Sequence, residues 1–185
     1  AYFDLNSAEG QEYWLAMNLA GDYASACHEV IHEKVLSQLG AVRLTKVENH
    51  HNFAWKELWK GEELIVHRKG ATPAARGVMG IIPGSMAAPG FLVRGKGAED
   101  AINSASHGAG RLMSRTQAIK TLSRNELNQR LKDLGITLIG ADLDEAPMAY
   151  KNIHEVMDAQ KELVDVVASF HPKVVRMADD GSRED

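Results

Sequence analysis

The stretch Asn103-Ser104-Ala105-Ser106-His107-Gly108-Ala109-Gly110-Arg111 places one histidine directly before two glycines and an arginine. A helical pattern of apolar residues follows over 112–119, so we predict that the glycines lie at a loop-to-helix junction. Glycines there let backbone N–H groups approach an anion, and a helix N-terminus adds partial positive charge. Arg111 offers phosphate a planar fork, and His107 could serve as nucleophile or base. An ordinary glycine-rich turn would read the same way, so this stretch alone leaves both interpretations open.

Composition narrows the class of protein. The 185 residues suit one domain or part of a larger one, and 44% hydrophobic residues are enough for a core. A net charge of −4 gives no general affinity for nucleic acid, so any such contact requires a local patch. The single cysteine, Cys27, excludes an intrachain disulfide and favours a reducing compartment, for which we predict the cytoplasm. The sequence contains neither a long apolar run nor a signal-peptide pattern, so we expect no membrane association.

The first third of the chain predicts one long helix and a polar cluster. Ser7 is a suitable N-cap, and apolar residues recur at helical spacing until Gly40 supplies a stop. His28 and His32 lie one turn apart on this helix, which suits either a metal ion or a solvated face.

Residues 41–47 then read as a β-branched strand, which leads into Glu48-Asn49-His50-His51-Asn52-Phe53. This histidine-rich and asparagine-rich segment is either part of a site or a hydrogen-bonded turn.

The remaining pattern alternates short strands with helices. Predicted strands lie at 64–67, 78–82, 91–94, 136–139 and 174–175, and predicted helices at 123–134 and 155–167. This alternation predicts an α/β (α+β) fold with mixed sheets and helices. We predict a single domain part over 1–178 and a charged, disordered tail over 179–185. Arg68 and Lys69 beside Gly70 could hold phosphates or could be ordinary surface charges.

Several of these segments together resemble the RtcB family of RNA ligases. The motifs concerned are His51-Asn52, Arg68-Lys69-Gly70-Ala71, Gly80-Ile81-Ile82-Pro83-Gly84-Ser85-Met86, Ser106-His107-Gly108-Ala109-Gly110-Arg111 and Asp144-Glu145-Ala146-Pro147-Met148-Ala149-Tyr150-Lys151. Five motifs in one order make a chance agreement implausible. The resemblance implies a GTP- and Mn²⁺-dependent enzyme that joins RNA 2′,3′-cyclic-phosphate or 3′-phosphate ends to 5′-hydroxyl ends. Its tasks would be tRNA splicing or RNA repair, and a need for an activating protein stays open.

The resemblance also assigns roles to individual positions. It implies that His107 attacks GTP and becomes a guanylylated histidine, that His51 binds manganese, and that Asn52 lies beside the nucleotide phosphates. The implied guanosine and nucleotide contacts are Pro83, Gly84, Ser85, Met86, Gly108, Ala109, Gly110 and Tyr150. By their chemistry, we predict that three cations contact RNA phosphates: Arg68, Lys69 and Arg111.

This chain departs from the family pattern in its metal ligands. The family also uses an Asp-x-x-Cys pair and two further histidines from its amino-terminal half, and Cys27 stands in a different context. We therefore expect this chain to correspond to the carboxy-terminal half, incomplete and inactive without the other half. The first residue, Ala1, is consistent with missing upstream sequence.

Two further departures concern the base. Gly90 stands where family members have a serine, and Arg176 lies beside the position of a lysine that meets the guanine. We predict weakened but retained preference for GTP over ATP, with Arg176 as a partial substitute. The alternative functions are a nucleotide- or RNA-binding module that has lost catalysis and a metal-dependent phosphohydrolase.

Overall fold

The computed structural model describes residues 2–50 and 52–177. The chain folds as two compact units, Ala1–His67 and Arg68–Asp185. His51, the last residue of the predicted domain and the predicted tail over 179–185 lie outside the described residues. Within the described part of the chain, no helix combines the length and the apolar character needed to cross a membrane.

The first unit begins with the predicted long helix, α1, over Ala8–Leu39. The Ser7 hydroxyl accepts a hydrogen bond from the Gly10 N–H at 3.0 Å, and Gly40 ends the helix in the left-handed conformation with φ of 62°. Both predicted ends of this helix are confirmed.

The strand predicted over 41–47 is wrong. Residues 41–50 form neither helix nor strand, and Val42 and Leu44 are 83% and 96% exposed. The stretch is instead tied to α1 by charge: Arg43 pairs with Glu29, and the Lys46 ammonium lies 2.7 Å from the same carboxylate. β-branched residues favour a strand only where a neighbouring strand offers a ladder, and this stretch pairs with none.

A hairpin follows in the first unit, and the last two residues of its second strand, Arg68 and Lys69, already belong to the second unit. Strand β1 covers Asn52–Trp59 and pairs with β2 over Glu62–Lys69. Lys60-Gly61-Glu62-Glu63 reads as a turn in the sequence, and in the structure Lys60 and Gly61 turn the chain with φ of 49° and 88°.

Three small sheets form the second unit. Strand β3 (Ala71–Pro73) pairs antiparallel with β6 (Ser104–Ser106). Antiparallel strands β4 (Met79–Ile82), β5 (Gly90–Gly95) and β8 (Val164–Phe170) form the second sheet, in that order. The third sheet pairs β7 (Thr137–Gly140) in parallel with β9 (Val174–Arg176). A mixed α/β fold is therefore confirmed.

The helices of this unit are α2 (Arg115–Thr121), α3 (Arg124–Asp133) and α4 (Ile153–Ala159). The helix predicted over 155–167 is wrong in its second half, because α4 ends at Ala159 and strand β8 begins at Val164. The apolar residues at 156, 159, 163 and 166 fit helical spacing by coincidence, because they lie in α4, in the turn after it and in β8, and those at 159 and 166 are exposed.

Two hydrophobic clusters support the second unit. The first contains Ile82, Phe91, Val93, Ala105, Ala109 and Ile153 among its buried members. The second contains Met86, Leu127, Leu131, Ala141, Ala146 and Val175. The loop 83–86 connects the two clusters, because Ile82 is buried in the first and Met86 in the second.

Candidate active site

The histidine loop begins at His107, directly after β6 ends at Ser106. Within the ladder Ser106 pairs with Ala71, and the His107 N–H donates to the Gly70 carbonyl at 3.3 Å. The half-buried His107 side chain therefore follows a strand whose main chain is fixed on both sides.

Two of the predicted nucleotide loops pack against one another. The Ala109 N–H donates to the Pro83 carbonyl oxygen at 3.1 Å. A Cβ on Gly108 would lie 3.3 Å from the same oxygen, which is closer than most side chains allow. Glycine at 108 therefore permits the close approach of loop 83–86, and Gly110, with φ of 73°, turns the chain away after it.

The expected loop-to-helix junction is wrong. Helix α2 begins only at Arg115, and the Ser114 hydroxyl caps it by accepting from the Gln117 N–H at 3.2 Å. The intervening residues belong to the loop, where the Leu112 N–H donates to the Ala149 carbonyl at 2.8 Å. The amides of residues 107, 109 and 112 thus bond protein carbonyls, and the helix N-terminus is not adjacent to the glycines.

Arg111 and Tyr150 join the histidine loop to the loop over 144–151. Their main chains form an antiparallel bridge, and the Lys151 N–H donates to the Gly110 carbonyl at 3.0 Å. The Arg111 guanidinium lies 5.0 Å from the centre of the Tyr150 ring and donates to its hydroxyl at 3.2 Å. It also donates to the Asp144 carbonyl at 2.5 Å and the Met113 carbonyl at 3.1 Å.

A charged cluster surrounds the Tyr150 hydroxyl, which donates to the Glu145 carboxylate. Burial and this hydrogen bond raise the pKa of Tyr150 to about 12, so the hydroxyl keeps its proton at neutral pH. The Arg115 guanidinium lies 3.0 Å from Glu145 and 2.7 Å from Asp144. Neither Glu145 nor Arg115 was predicted as a site residue, although the acidic pair Asp144-Glu145 belongs to the Tyr150 motif.

The three cations predicted to contact RNA occupy different environments. Arg68 is 3% exposed and donates to the Ser104 hydroxyl and the Ile102 carbonyl. Arg111 is held by the Tyr150 loop, whereas Lys69 is exposed at the end of β2. Contact with RNA stays a prediction for all three, and Lys69 has the exposure that such a contact requires.

The remaining predicted contacts lie at several depths. Pro83 and Gly110 are exposed, Gly84, Ser85 and Tyr150 are half-buried, and Met86, Gly108 and Ala109 are buried. Gly90 is buried in β5 opposite Phe170, and a Cβ there would lie 2.3 Å from the Phe170 ring. Arg176 is exposed in β9, and Asn52 is exposed at the start of β1 in the first unit.

The described residues do not by themselves fit a metal ion. Across residues 2–50 and 52–177, no three histidine, cysteine, aspartate or glutamate side chains lie close enough together to hold one. His28 lies instead 3.4 Å from Glu48.

Apart from Asn52, the described residues that could contact a nucleotide lie in one unit. The histidine loop, the loop 83–86 and Tyr150 belong to one unit and are linked by main-chain hydrogen bonds, and an aromatic ring together with small backbone-lined loops suits a nucleoside.

Comparisons with known proteins show the family of this chain. The family model described as tRNA-splicing ligase RtcB matches residues 1–178. RNA-splicing ligase RtcB1 of Escherichia coli (strain ATCC 25922) is 40% identical, over 94% of this chain and 45% of its own length. The tRNA-splicing ligase RtcB of Methanococcus maripaludis is 34% identical, over 83% of this chain and 39% of its own length. The tRNA-splicing ligase RtcB of Methanocaldococcus jannaschii is 33% identical, over 92% of this chain and 20% of its own length. This chain spans less than half the length of these relatives, and it belongs to the RtcB family.

Proposed function

We propose that this chain forms the histidine-bearing part of a GTP-dependent RNA ligase, which joins 2′,3′-cyclic-phosphate or 3′-phosphate RNA ends to 5′-hydroxyl ends. The observation that supports this most is the position of His107, between a fixed strand and a loop that packs on the proposed guanosine segment. The family match over residues 1–178 supports the same reaction class.

In the proposed reaction a neutral His107 imidazole nitrogen attacks the α-phosphorus of GTP. A P–N bond forms, the bond to the β-phosphate oxygen breaks, and pyrophosphate leaves. Imidazole suits this step because much of it is neutral near pH 7, and the phosphoramidate readily passes its nucleotide to a weaker nucleophile. Water would first open a 2′,3′-cyclic phosphate to a 3′-phosphate. An oxygen of the RNA 3′-phosphate would then attack the GMP phosphorus and break its P–N bond to His107, and the RNA 5′-hydroxyl would attack the activated 3′-phosphate and displace GMP.

The loops around His107 support a positioning role in this reaction. Hydrogen bonds from Ala109 to Pro83 and from Lys151 to Gly110 hold three loops in register. A nucleophile fixed in this way loses little orientational freedom when substrate binds, which is a major source of rate enhancement.

The first test is covalent labelling of the complete ligase. We expect label from α-labelled GTP, in the presence of Mn²⁺, to be retained by wild type and lost in His107→Ala. His171→Ala is the matched control, because His171 is an exposed histidine of the same unit. Equal acid-labile labelling of His107→Ala and wild type would refute the assignment.

We further propose that His51 supplies one ligand to Mn²⁺ and that the other ligands come from the part of the ligase outside this chain. The proposal follows from the resemblance at His51-Asn52 and from the share of its relatives' length that this chain covers. His51→Ala in the complete ligase should weaken Mn²⁺ binding and abolish ligation, and the 185-residue chain alone should be inactive. Stoichiometric, tight Mn²⁺ binding by the chain alone would contradict this division of the ligands.

The proposed RNA contact is strongest for Lys69, because it is exposed and directly precedes Gly70, whose carbonyl accepts from the His107 N–H. Lys69→Ala should raise the RNA concentration needed for half-maximal joining and reduce its dependence on salt, while guanylylation of His107 stays unchanged. A cytoplasmic location, expected from the single cysteine, is part of the same proposal.

A further inference from the structure

We propose that Arg68 is a positioning residue for His107, because its guanidinium holds a left-handed turn at Ile102 and Asn103 from which the strand carrying His107 begins. This inference depends on the proposed function of His107. In place of the predicted RNA contact, Arg68 then links the end of β2 to the turn at Ile102, and both lie in the second unit.

The turn itself is conformationally unfavourable. Ile102 and Asn103 have φ of 52° and 45°, and a β-branched residue rarely adopts that conformation. Asparagine tolerates it better, yet the Asn103 side-chain oxygen is buried and has no hydrogen-bond partner among the described residues. The turn therefore needs contacts from elsewhere in the fold to persist.

Arg68 supplies such contacts from the end of β2. Its Nη2 donates to the Ile102 carbonyl at 3.0 Å, and its Nε donates to the Ser104 hydroxyl at 2.7 Å. The Ser104 hydroxyl in turn donates to the Ile102 carbonyl at 2.8 Å. Guanidinium, hydroxyl and carbonyl thus form a closed set of hydrogen bonds around the turn.

The planar fork explains why an arginine suits this position. One guanidinium reaches two acceptors at fixed spacing, whereas a lysine ammonium is a point charge on a flexible stem. At 3% exposure the Arg68 side chain is also poorly placed for an incoming RNA phosphate. Its neighbour Lys69 is exposed, so the two adjacent cations have separate roles.

The short strand β6 connects the turn to His107, so the position of the turn determines the position of His107. It contains only Ser104, Ala105 and Ser106, and it pairs with β3 from Pro73 to Ala71. Ala105 is 3% exposed in the first hydrophobic cluster, and the Ser106 N–H donates to the Gln160 side chain at 2.9 Å. A three-residue strand has few ladder bonds, so a shift at its first residue displaces its last.

The test combines a variant that removes the Arg68 guanidinium with a second change that removes the backbone strain of the turn at Ile102. In the complete ligase, Arg68→Met should slow guanylylation of His107 by about tenfold or more, with little change in the KM for GTP. Adding Ile102→Gly should restore the rate to within about threefold of wild type, because glycine adopts positive φ freely. Ile102 is 51% exposed, so this change removes little packing.

Lys60→Gly is the matched control for the rescue. Lys60 is also a non-glycine residue at positive φ, but it lies in the hairpin turn of the first unit. It should leave the Arg68→Met defect unchanged. If Arg68→Met does not fold, Arg68→Lys replaces it, since lysine keeps the charge and the stem but not the fork.

Amide hydrogen exchange gives a readout that is independent of activity. Residues 104–107 should exchange faster in Arg68→Met and return to the wild-type rate with Ile102→Gly. The inference is overturned if Ile102→Gly fails to rescue, if Arg68→Met has no effect, or if Arg68→Met raises only the KM for RNA. Absence of any His107 adduct in wild type would refute the proposed function instead, and hydrogen exchange would still test the turn.

Discussion

Replacing Tyr150 by phenylalanine tests the cluster that joins the histidine loop to the loop over 144–151. Tyr150→Phe keeps the ring beneath Arg111 and removes the hydroxyl that donates to Glu145 and accepts from Arg111. A hydrogen bond to a charged group contributes about 1.5–3 kcal/mol, and we take about 1.5 kcal/mol because the site is only partly buried. For a chain of this size, that loss lowers Tm by about 3–6 °C.

The pH dependence of this loss follows from the pKa of Tyr150, which is raised from 10.0 to about 12 in the folded protein. A raised pKa means that folding favours the protonated hydroxyl. The stabilisation is therefore complete below pH 10 and disappears as the pH rises through about 12. Wild type should lose its advantage over Tyr150→Phe across this window.

Urea unfolding of both proteins at pH 8 and at about pH 11.5 measures the difference in the free energy of unfolding. Tyr2→Phe is the control, because Tyr2 is 93% exposed and should show no loss at either pH. An unchanged free energy in Tyr150→Phe at pH 8, or a difference that stays equal at both pH values, would refute the contribution of the hydroxyl.

Three shorter predictions follow from other parts of the chain. Gly90→Ser should displace the Phe170 ring, because the added Cβ would lie 2.3 Å from it. We expect urea unfolding to show a destabilisation of about 1 kcal/mol, and this cost should fall in a Phe170→Ala background. Hydrogen bonds from Lys46 and Arg43 lower the pKa of Glu29 from 4.5 to about 2. The ionised Glu29 therefore stabilises the folded protein fully above pH 4.5, and this stabilisation is lost as the pH falls through about 2. In an acid titration of unfolding, Glu29→Gln should abolish this pH dependence. Arg176→Ala should lower the preference for GTP over ATP by about tenfold in labelling of His107, and an unchanged preference would show that other residues read the base.

The sequence predicted best those elements whose ends carry their own signals. Ser7 and Gly40 cap α1 through bonds within a few residues of each helix end, and Lys60-Gly61 turns the hairpin through local backbone conformation. The strand over 41–47 failed because a strand also needs a partner, and partner choice is not a local property. The helix over 155–167 failed because its apolar residues follow helical spacing although the chain turns between α4 and β8, and Ala159 and Val166 are exposed rather than part of one apolar face.

The residues assigned to the site stay predictions, and the structure corrects part of the geometry expected for them. Segments 71–73 and 104–106 are too short to show a periodic pattern, yet their pairing fixes the strand from which His107 follows. The apolar pair Leu112 and Met113 imitates a helix start, although hydrogen bonds to the Tyr150 loop keep this stretch irregular. Short ladders and loop contacts of this kind become visible only once the chain is folded.

The cations show most clearly how the fold separates residues that look alike in sequence. Arg68, Lys69 and Arg111 all stand beside glycine-containing motifs, and electrostatics alone predicts the same anionic partner for each. In the structure Arg68 donates to the left-handed turn at Ile102, and Lys69 is exposed. The Arg111 guanidinium lies over the Tyr150 ring. Two of these side chains therefore contribute to the shape of the site through protein acceptors. If that assignment is correct, substitution of either arginine changes the rate of guanylylation, whereas substitution of Lys69 changes the affinity for RNA.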